Sequence, residues 1–281
     1  MKKVLITGAN SYIGTSFEKY IRECFFDDYV VDTVDMTVDG WKKLNFAKYD
    51  SVLHVAGIAH QKETKQNAHL YYNVNRDLAV ETAKKAKAEG VKQFVFLSTM
   101  SVYGMDTGVV TRETLPCPKS HYGKSKWEAE QEIMKLTDES FKVCVLRPPM
   151  VYGKDCRGNF QTVVKIVKKS PVFPKIENRR SMIYIDNLSS FIKMCIDDNL
   201  NGVFCPQNRE YVQTAVMASV IAHSLNKKLC FLKSLGFLVR IMIPFVGMAR
   251  KAFGSLIYKD IESFDYNYCE VCFENSIFKS I

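Results

Sequence analysis

The chain has 281 residues, 47% of them hydrophobic and 25% charged, with a formal net charge of +9. That size suits one large domain or two closely joined smaller ones, and the composition excludes collagen-like, low-complexity and disordered classes. The excess of cations favours an anionic partner, but the basic residues are spread out and no aromatic-basic recognition motif accompanies them, so nucleic acid is not expected.

The first segment, "MKKVLITGAN", has too short an apolar run after its lysines for a signal peptide. Its "KVLIT" (3–7) predicts a strand, and "YVVDTVD" (29–35), "SVLHVA" (51–56), "QFVFLS" (93–98) and "KVCVLR" (142–147) predict four more. Their nearly continuous apolar runs suit a sheet covered on both faces. Helical spacing occupies 12–24, 64–90 and 122–136, and alternation of this kind means a doubly wound, parallel α/β sheet. The link 36–50 is near the minimum for a crossover, so its helix is expected to be short or absent. Later strands are expected at 180–187 and 202–206, the rest forming a smaller, mostly helical part. The predicted division is a dinucleotide-binding domain over 1–155, with contributions from about 181–205, and a substrate-binding part over 156–180 and 206–281.

The apolar stretch "FLKSLGFLVRIMIPFVGMARKAF" is interrupted by Lys233, Arg240 and Pro244, which argues against a spanning helix. Helices of a buried or subunit-facing core are expected instead, with a membrane-surface helix as the lesser alternative. Nine scattered cysteines suggest reduced thiols in a cytoplasm. Cys269 and Cys272 have metal-like spacing without a second ligand pair, so no metal is expected.

Two features carry chemistry. "VLITGANSYIG" sets Gly8 after the first strand and Gly14 inside the next helix, a turn that aims backbone N–H groups at a pyrophosphate. About twenty residues on, Asp35 ends the second strand, where a carboxylate would hold an adenosine ribose and favour NAD over NADP; Asp32 is its rival. The second feature is "SHYGKSKWEAE", with Tyr122 and Lys126 one helical turn apart. A positive charge about 4 Å from a phenol, at an effective dielectric near 20, favours the phenolate by about 4 kcal/mol, so the pair suits proton transfer. His54 reads as a satisfied core histidine, His121 as a loop residue and Trp127 as packing.

"TGANSYIG", "HVAG", "FLSTMSVYG", "YGKSK" and "RPPMVYG", in this order, resemble the extended short-chain dehydrogenase/reductases, within them the NAD-dependent nucleotide-sugar epimerase/dehydratase group of UDP-galactose 4-epimerase type. The resemblance covers residues 1 to about 205 and implies a Rossmann-type fold. It implies catalysis by Thr99, Tyr122 and Lys126, and cofactor contacts from Gly8, Asn10, Ser11, Tyr12, Ile13, Gly14, Asp35, Ala56, Gly57, Asn73, Ser98, Tyr122, Lys126 and Pro149. Substrate contacts would come from Thr99, Ser101, Tyr122, Asn159 and Arg180, Arg180 being weighed against a solvated pair with Arg179. The family's middle glycine is Ser11, whose Cβ would loosen the phosphate contact, and its Asn-Val-x-Gly-Thr becomes Asn73-Val74-Asn75-Arg76-Asp77. Met100 and Ser101 replace the Asp-Glu pair of the dehydratases, which argues against dehydration.

The expected function is therefore 4-epimerisation of a UDP-hexose or UDP-N-acetylhexosamine through a 4-keto intermediate, with NAD as cofactor and a homodimer as the working form. The alternatives are an NAD(P)H-dependent 4-ketoreductase of deoxysugar or surface-polysaccharide synthesis and, more distantly, a non-catalytic NAD-binding regulator.

Overall fold

The computed structural model describes residues 1–59, 61–261 and 267–281, and the side chain of every one of these except Met248. Residues 262–266 of the predicted substrate-binding part thus lie outside the described residues. The chain divides into two compact units. The first comprises Met1–Gly104, Pro116–Pro148 and Leu188–Pro206; the second comprises Met105–Leu115, Pro149–Asn187 and Gln207–Ile281. The expected contribution of 181–205 to the first unit begins at 188 instead, and 105–115 belongs to the second.

Six strands form the sheet of the first unit: β1 (Lys2–Thr7), β2 (Tyr29–Val34), β3 (Ser51–His54), β4 (Gln93–Leu97), β5 (Lys142–Leu146) and β6 (Gly202–Phe204). They run in the order β6-β5-β4-β3-β1-β2, all parallel. The connecting helices include α1 (Tyr12–Cys24), α2 (Leu78–Ala88), α3 (His121–Met134) and α4 (Ile185–Asp197). On one face Leu5, Val52, Phe94, Phe96, Val143 and Val145 share a core with Ala79, Ala83 and Ala86 of α2 and Ala129 and Ile133 of α3. The alanines let both helices lie close to the strands. Gly14 does the same for α1, since a Cβ there would come within 3.1 Å of both Ile6 and Val55.

The link 36–50 forms only a 3₁₀ turn, Asp39–Lys43, and fills the core with Met36, Trp41, Phe46 and Tyr49. Chain order along the sheet reverses between β1 and β3, and the crevice beyond the carboxyl ends of strands at such a point is where open α/β sheets bind ligands.

The second unit adds short strands to its helices. It holds three two-stranded parallel pairs: Met150–Tyr152 with Met182–Tyr184, Val172–Pro174 with Cys230–Leu232, and Gly108–Val110 with Leu256–Tyr258. The strand expected over 180–187 is thus three residues long and belongs to a separate pair, because α4 begins at Ile185. The apolar stretch beyond 231 forms two helices, Lys233–Met242 and Gly247–Phe253. Phe237, Leu238, Ile241, Met242, Phe245 and Val246 are exposed there, so the stretch is not a buried core within this chain, and the subunit-facing alternative is untouched. Among the described residues no helix is long and apolar enough to cross a membrane.

Candidate active site

Gly8 stands at φ +107, a left-handed conformation that suits glycine, and a Cβ on it would lie 2.8 Å from the Ala56 backbone nitrogen. The turn after β1 therefore closes directly on the turn after β3. The Gly8 and Ala9 amides both donate to the Val34 carbonyl at 3.0 Å, which ties the same turn to the end of β2. Asn10 is also left-handed (φ 65), and Tyr12 and Ile13 open α1. Ser11 is the helix's N-cap, its hydroxyl accepting from the Gly14 amide at 3.2 Å. The residue expected to loosen a phosphate contact thus has a structural role of its own, starting the helix whose positive end faces the turn.

Asp35 is exposed just past β2 and accepts from the Thr37 amide (2.8 Å) and hydroxyl (2.7 Å), bonds that hold its carboxyl below the usual range. Its rival Asp32 is committed within the strand, to the Tyr49 hydroxyl at 2.7 Å and Lys48 at 3.3 Å. Of the two carboxylates, Asp35 stands next to the glycine turn.

The second cluster gathers on α3. Ser120 caps the helix by accepting from the Gly123 amide at 3.0 Å, and Glu63 closes two more first-turn amides, those of His121 (2.9 Å) and Tyr122 (3.0 Å). Gly123 lets the helix approach the 3₁₀ turn Met100–Tyr103, for a Cβ there would meet the Ser101 carbonyl at 2.7 Å. That approach brings the half-buried Tyr122 hydroxyl into a hydrogen bond with Thr99. Thr99 is itself fixed, its hydroxyl oxygen accepting from the Ser101 amide at 3.1 Å. Ser101 is half-buried on the same turn.

Lys126 is buried, and its ammonium donates to the Leu97 carbonyl at 2.9 Å while lying 4.7 Å from the centre of the Phe96 ring. Burial brings it down to about 8, opposed by the Glu130 carboxylate. Burial pushes the Tyr122 phenol above its ordinary value, against the bond from Thr99, and Tyr71 beside it pushes the same way. This corrects the expected electrostatics. The ammonium is engaged with a backbone carbonyl, and the cost of burying a phenolate outweighs what the neighbours return.

Gly57 lies at the crossing of these groups: a Cβ there would be 2.9 Å from the Asn75 amide oxygen and 3.3 Å from the Lys126 ammonium. Asn75, not Asn73, enters the site. Asn75 is fully buried, accepts from the Ile58 amide (2.7 Å), and donates to the Ile58 carbonyl (3.1 Å) and the Ser125 hydroxyl (3.3 Å); Asn73 is exposed. The reason is a π-helical segment, Tyr72–Asp77, preceding α2, a feature frequent at functional sites. A signal was present, since Tyr71, Asn75, Ala79 and Ala83 recur every four residues as one buried stripe.

Ser98 is buried, with its hydroxyl donating to Glu130. Glu130 meets Arg147 at 2.5 Å, and Arg147 also donates to the Tyr103 hydroxyl at 2.9 Å, with its guanidinium 5.2 Å from the Trp127 ring centre. This buried ion pair between α3 and the end of β5 has no local spacing signature and leaves no trace in the sequence. His54 is buried and only half satisfied. Its Nδ1 lies 2.7 Å from the Thr7 hydroxyl, while Nε2 has no partner among the described residues; burial, then Lys126, brings it down to about 3. His121 opens α3 and lies 3.2 Å from the Tyr72 hydroxyl.

Pro149, Asn159 and Arg180 belong to the second unit. Asn159 opens the helix Asn159–Lys169 and donates to the Lys251 carbonyl at 3.2 Å. Arg180 is held by paired backbone bonds with Val212 at 2.9 Å and donates from Nη1 to the Gly254 carbonyl at 2.8 Å. Its Nε is buried without a partner among the described residues, whereas Arg179 is exposed, so the two are not a solvated pair. An orphaned guanidinium nitrogen is suited to an anion.

The model of the NAD dependent epimerase/dehydratase family matches residues 4–204. A UDP-glucose 4-epimerase of Vibrio cholerae is 31% identical over 253 residues, 80% of this chain and 76% of that protein. An N-acetyl-alpha-D-glucosaminyl-diphospho-ditrans,octacis-undecaprenol 4-epimerase of Escherichia coli O157:H7 is 25% identical over 248 residues, 80% of this chain and 73% of that protein. Among solved structures, a UDP-glucuronic acid 4-epimerase from Bacillus cereus in complex with NAD aligns with a TM-score of 0.74 and 18% identity, covering 99% of this chain and 97% of the other. At that identity the likeness bears on the fold.

Proposed function

The chain belongs to the NAD-dependent epimerase/dehydratase family, and from that premise we infer that it is a nucleotide-sugar 4-epimerase acting on a UDP-hexose or UDP-N-acetylhexosamine. The observation that carries the reading is the Tyr122 hydroxyl bonded to Thr99, with the Lys126 ammonium buried one turn further along the same helix.

The residues present fit a dinucleotide. The glycine turn closes on Ala56 with no room for side chains, the start of α1 offers its positive end to a pyrophosphate, and Asp35 is exposed beside both. Held there, NAD would supply the acceptor for the hydride leaving C4 of the sugar and the donor that returns it.

The chain's own part is to move a proton and hold an oxygen. Tyr122 would take the proton of the C4 hydroxyl and give it back once the sugar has turned. Thr99, already bonded to the phenol, would hold the same substrate oxygen. Lys126 would hold a positive charge one helical turn from the phenol, fixed by its bond to the Leu97 carbonyl and lying beside Gly57. Asn75 fixes the 57–58 segment, and Gly57, having no Cβ, lets Asn75 and the Lys126 ammonium come close to the backbone there. In the second unit, Arg180 and Asn159 would take the diphosphate, the orphaned Nε of Arg180 supporting that role. Nine free cysteines support a reducing cytoplasm, and a homodimer is the proposed working form.

The test is interconversion of UDP-glucose and UDP-galactose by the purified protein without added cofactor. Tyr122→Phe should lower the rate by at least about 100-fold with the fold retained. A near-normal rate in that variant overturns the mechanism, and steady NAD(P)H consumption with a 4-keto sugar replaces epimerisation by reduction.

A further inference from the structure

Between Phe237 and Val246 six large apolar side chains are exposed, Phe245 at 83% and Phe237 at 66%. Within the helix Lys233–Met242 they are not scattered. At about 100° per residue, Phe237, Ile241, Leu238 and Met242 cover one arc of about 140°, while Lys233 and Arg240 line one edge of it. The opposite side is fixed to the unit at Gly236, where a Cβ would come within 2.1 Å of the Lys175 carbonyl. The apolar arc is therefore held outward by a contact that leaves no room to roll. It continues through Phe245 and Val246 at the corner before the helix Gly247–Phe253.

The charge carried by this segment has a single sign. From Lys233 to Phe253 there are four cations, Lys233, Arg240, Arg250 and Lys251, and no Asp or Glu. Arg250 faces Asp106 at 3.3 Å. Lys233, Arg240 and Lys251 are exposed and have no carboxylate partner among the described residues.

We propose that this surface of the second unit docks on an anionic lipid bilayer, the apolar arc entering the headgroup–acyl boundary and the three cations meeting lipid phosphates. A ten-residue helix is about 15 Å long, too short to span, so it lies in the plane of the interface. The arrangement disfavours a second copy as the occupant. A two-fold contact would bury the arc but set three unpaired cations against the same three, whereas an anionic surface favours each of them. This inference rests on the surface of the second unit and holds whatever reaction the first unit performs.

The test is sedimentation of the full chain with vesicles of phosphatidylglycerol and phosphatidylcholine in equal parts, compared with phosphatidylcholine alone. Binding should be about tenfold or more stronger on the anionic vesicles and should weaken as salt rises. Phe237→Ser with Phe245→Ser, and separately Arg240→Glu with Lys251→Glu, should each weaken it about tenfold or more, with thermal unfolding and sugar-nucleotide turnover unchanged. Equal affinity for both vesicle types, or undiminished binding by either double variant, overturns the proposal. So does a wild-type dimer in analytical ultracentrifugation that the double serine variant dissociates while the wild type ignores vesicles.

Discussion

The two units keep polar groups inside by different means. The first holds an ion pair, Glu130 with Arg147, extended by Ser98 and Tyr103. The second holds a neutral network. The Tyr152 hydroxyl lies 2.6 Å from that of Ser276 and accepts from Asn208 at 3.0 Å, and Asn208 accepts from Asn187 at 3.0 Å and from the Tyr184 amide at 3.1 Å. Taking two charges out of water is worthwhile only while both remain paired, so the first unit is more vulnerable to loss of one partner. Hydroxyls and amides left alone cost less.

The sharpest way to break this contrast is Glu130→Ala. It leaves a buried guanidinium unpaired and should cost about 3–5 kcal/mol in denaturant unfolding, while Glu130→Leu with Arg147→Met should recover most of the loss. A cost below about 1 kcal/mol would show that the pair stabilises no more than a neutral bond.

Lys126→Met probes the remaining buried charge through pH. Its folded value of about 8 is below the ordinary lysine value, so the folded state binds fewer protons than the unfolded. The destabilisation is full below about 8 and disappears as pH rises through the ordinary lysine range. Wild-type stability relative to Lys126→Met should thus improve by up to about 3 kcal/mol between neutral and strongly alkaline pH, measured by urea unfolding. Because the Tyr122 phenol is pushed up, the rate of sugar conversion should also climb with pH, and a flat profile would remove Tyr122 as the titrating base.

Asn75→Ala frees both polar groups of Ile58 and should cost about 2 kcal/mol, against less than about 0.5 kcal/mol for Asn73→Ala. In the second unit, Tyr152→Phe should cost only about 1 kcal/mol, since Ser276 keeps its bond to the Phe273 carbonyl.

The same contrast explains what is legible in the sequence. Strands β1, β3, β4 and β5 are buried along most of their length, so each leaves an apolar run that can be found without knowing its neighbours, whereas β2 lies at the sheet's edge and is largely exposed. The three-residue strands of the second unit, such as Met182–Tyr184, are too short to impose a period, and their pairing depends on contacts distant in sequence. At the site, Tyr122, Lys126 and the glycine turn are legible because their geometry is local to one helix or one turn. Asn73 stands in for Asn75 in the sequence pattern because a π-helical segment sets which side chain faces inward. The engagement of Lys126 with Leu97, 29 residues away in the chain, leaves no spacing to read.

Glu63 ties the segment just past residues 57–58 to the first turn of α3, one oxygen to each of two successive amides. The Tyr122 phenol is thus anchored from outside its own helix, and the two amides act as a latch. Their hydrogen-exchange rates would report detachment of that segment directly, before any change in turnover was visible. A Glu63→Gln chain, with one acceptor oxygen in place of two, would exchange faster at one of the pair.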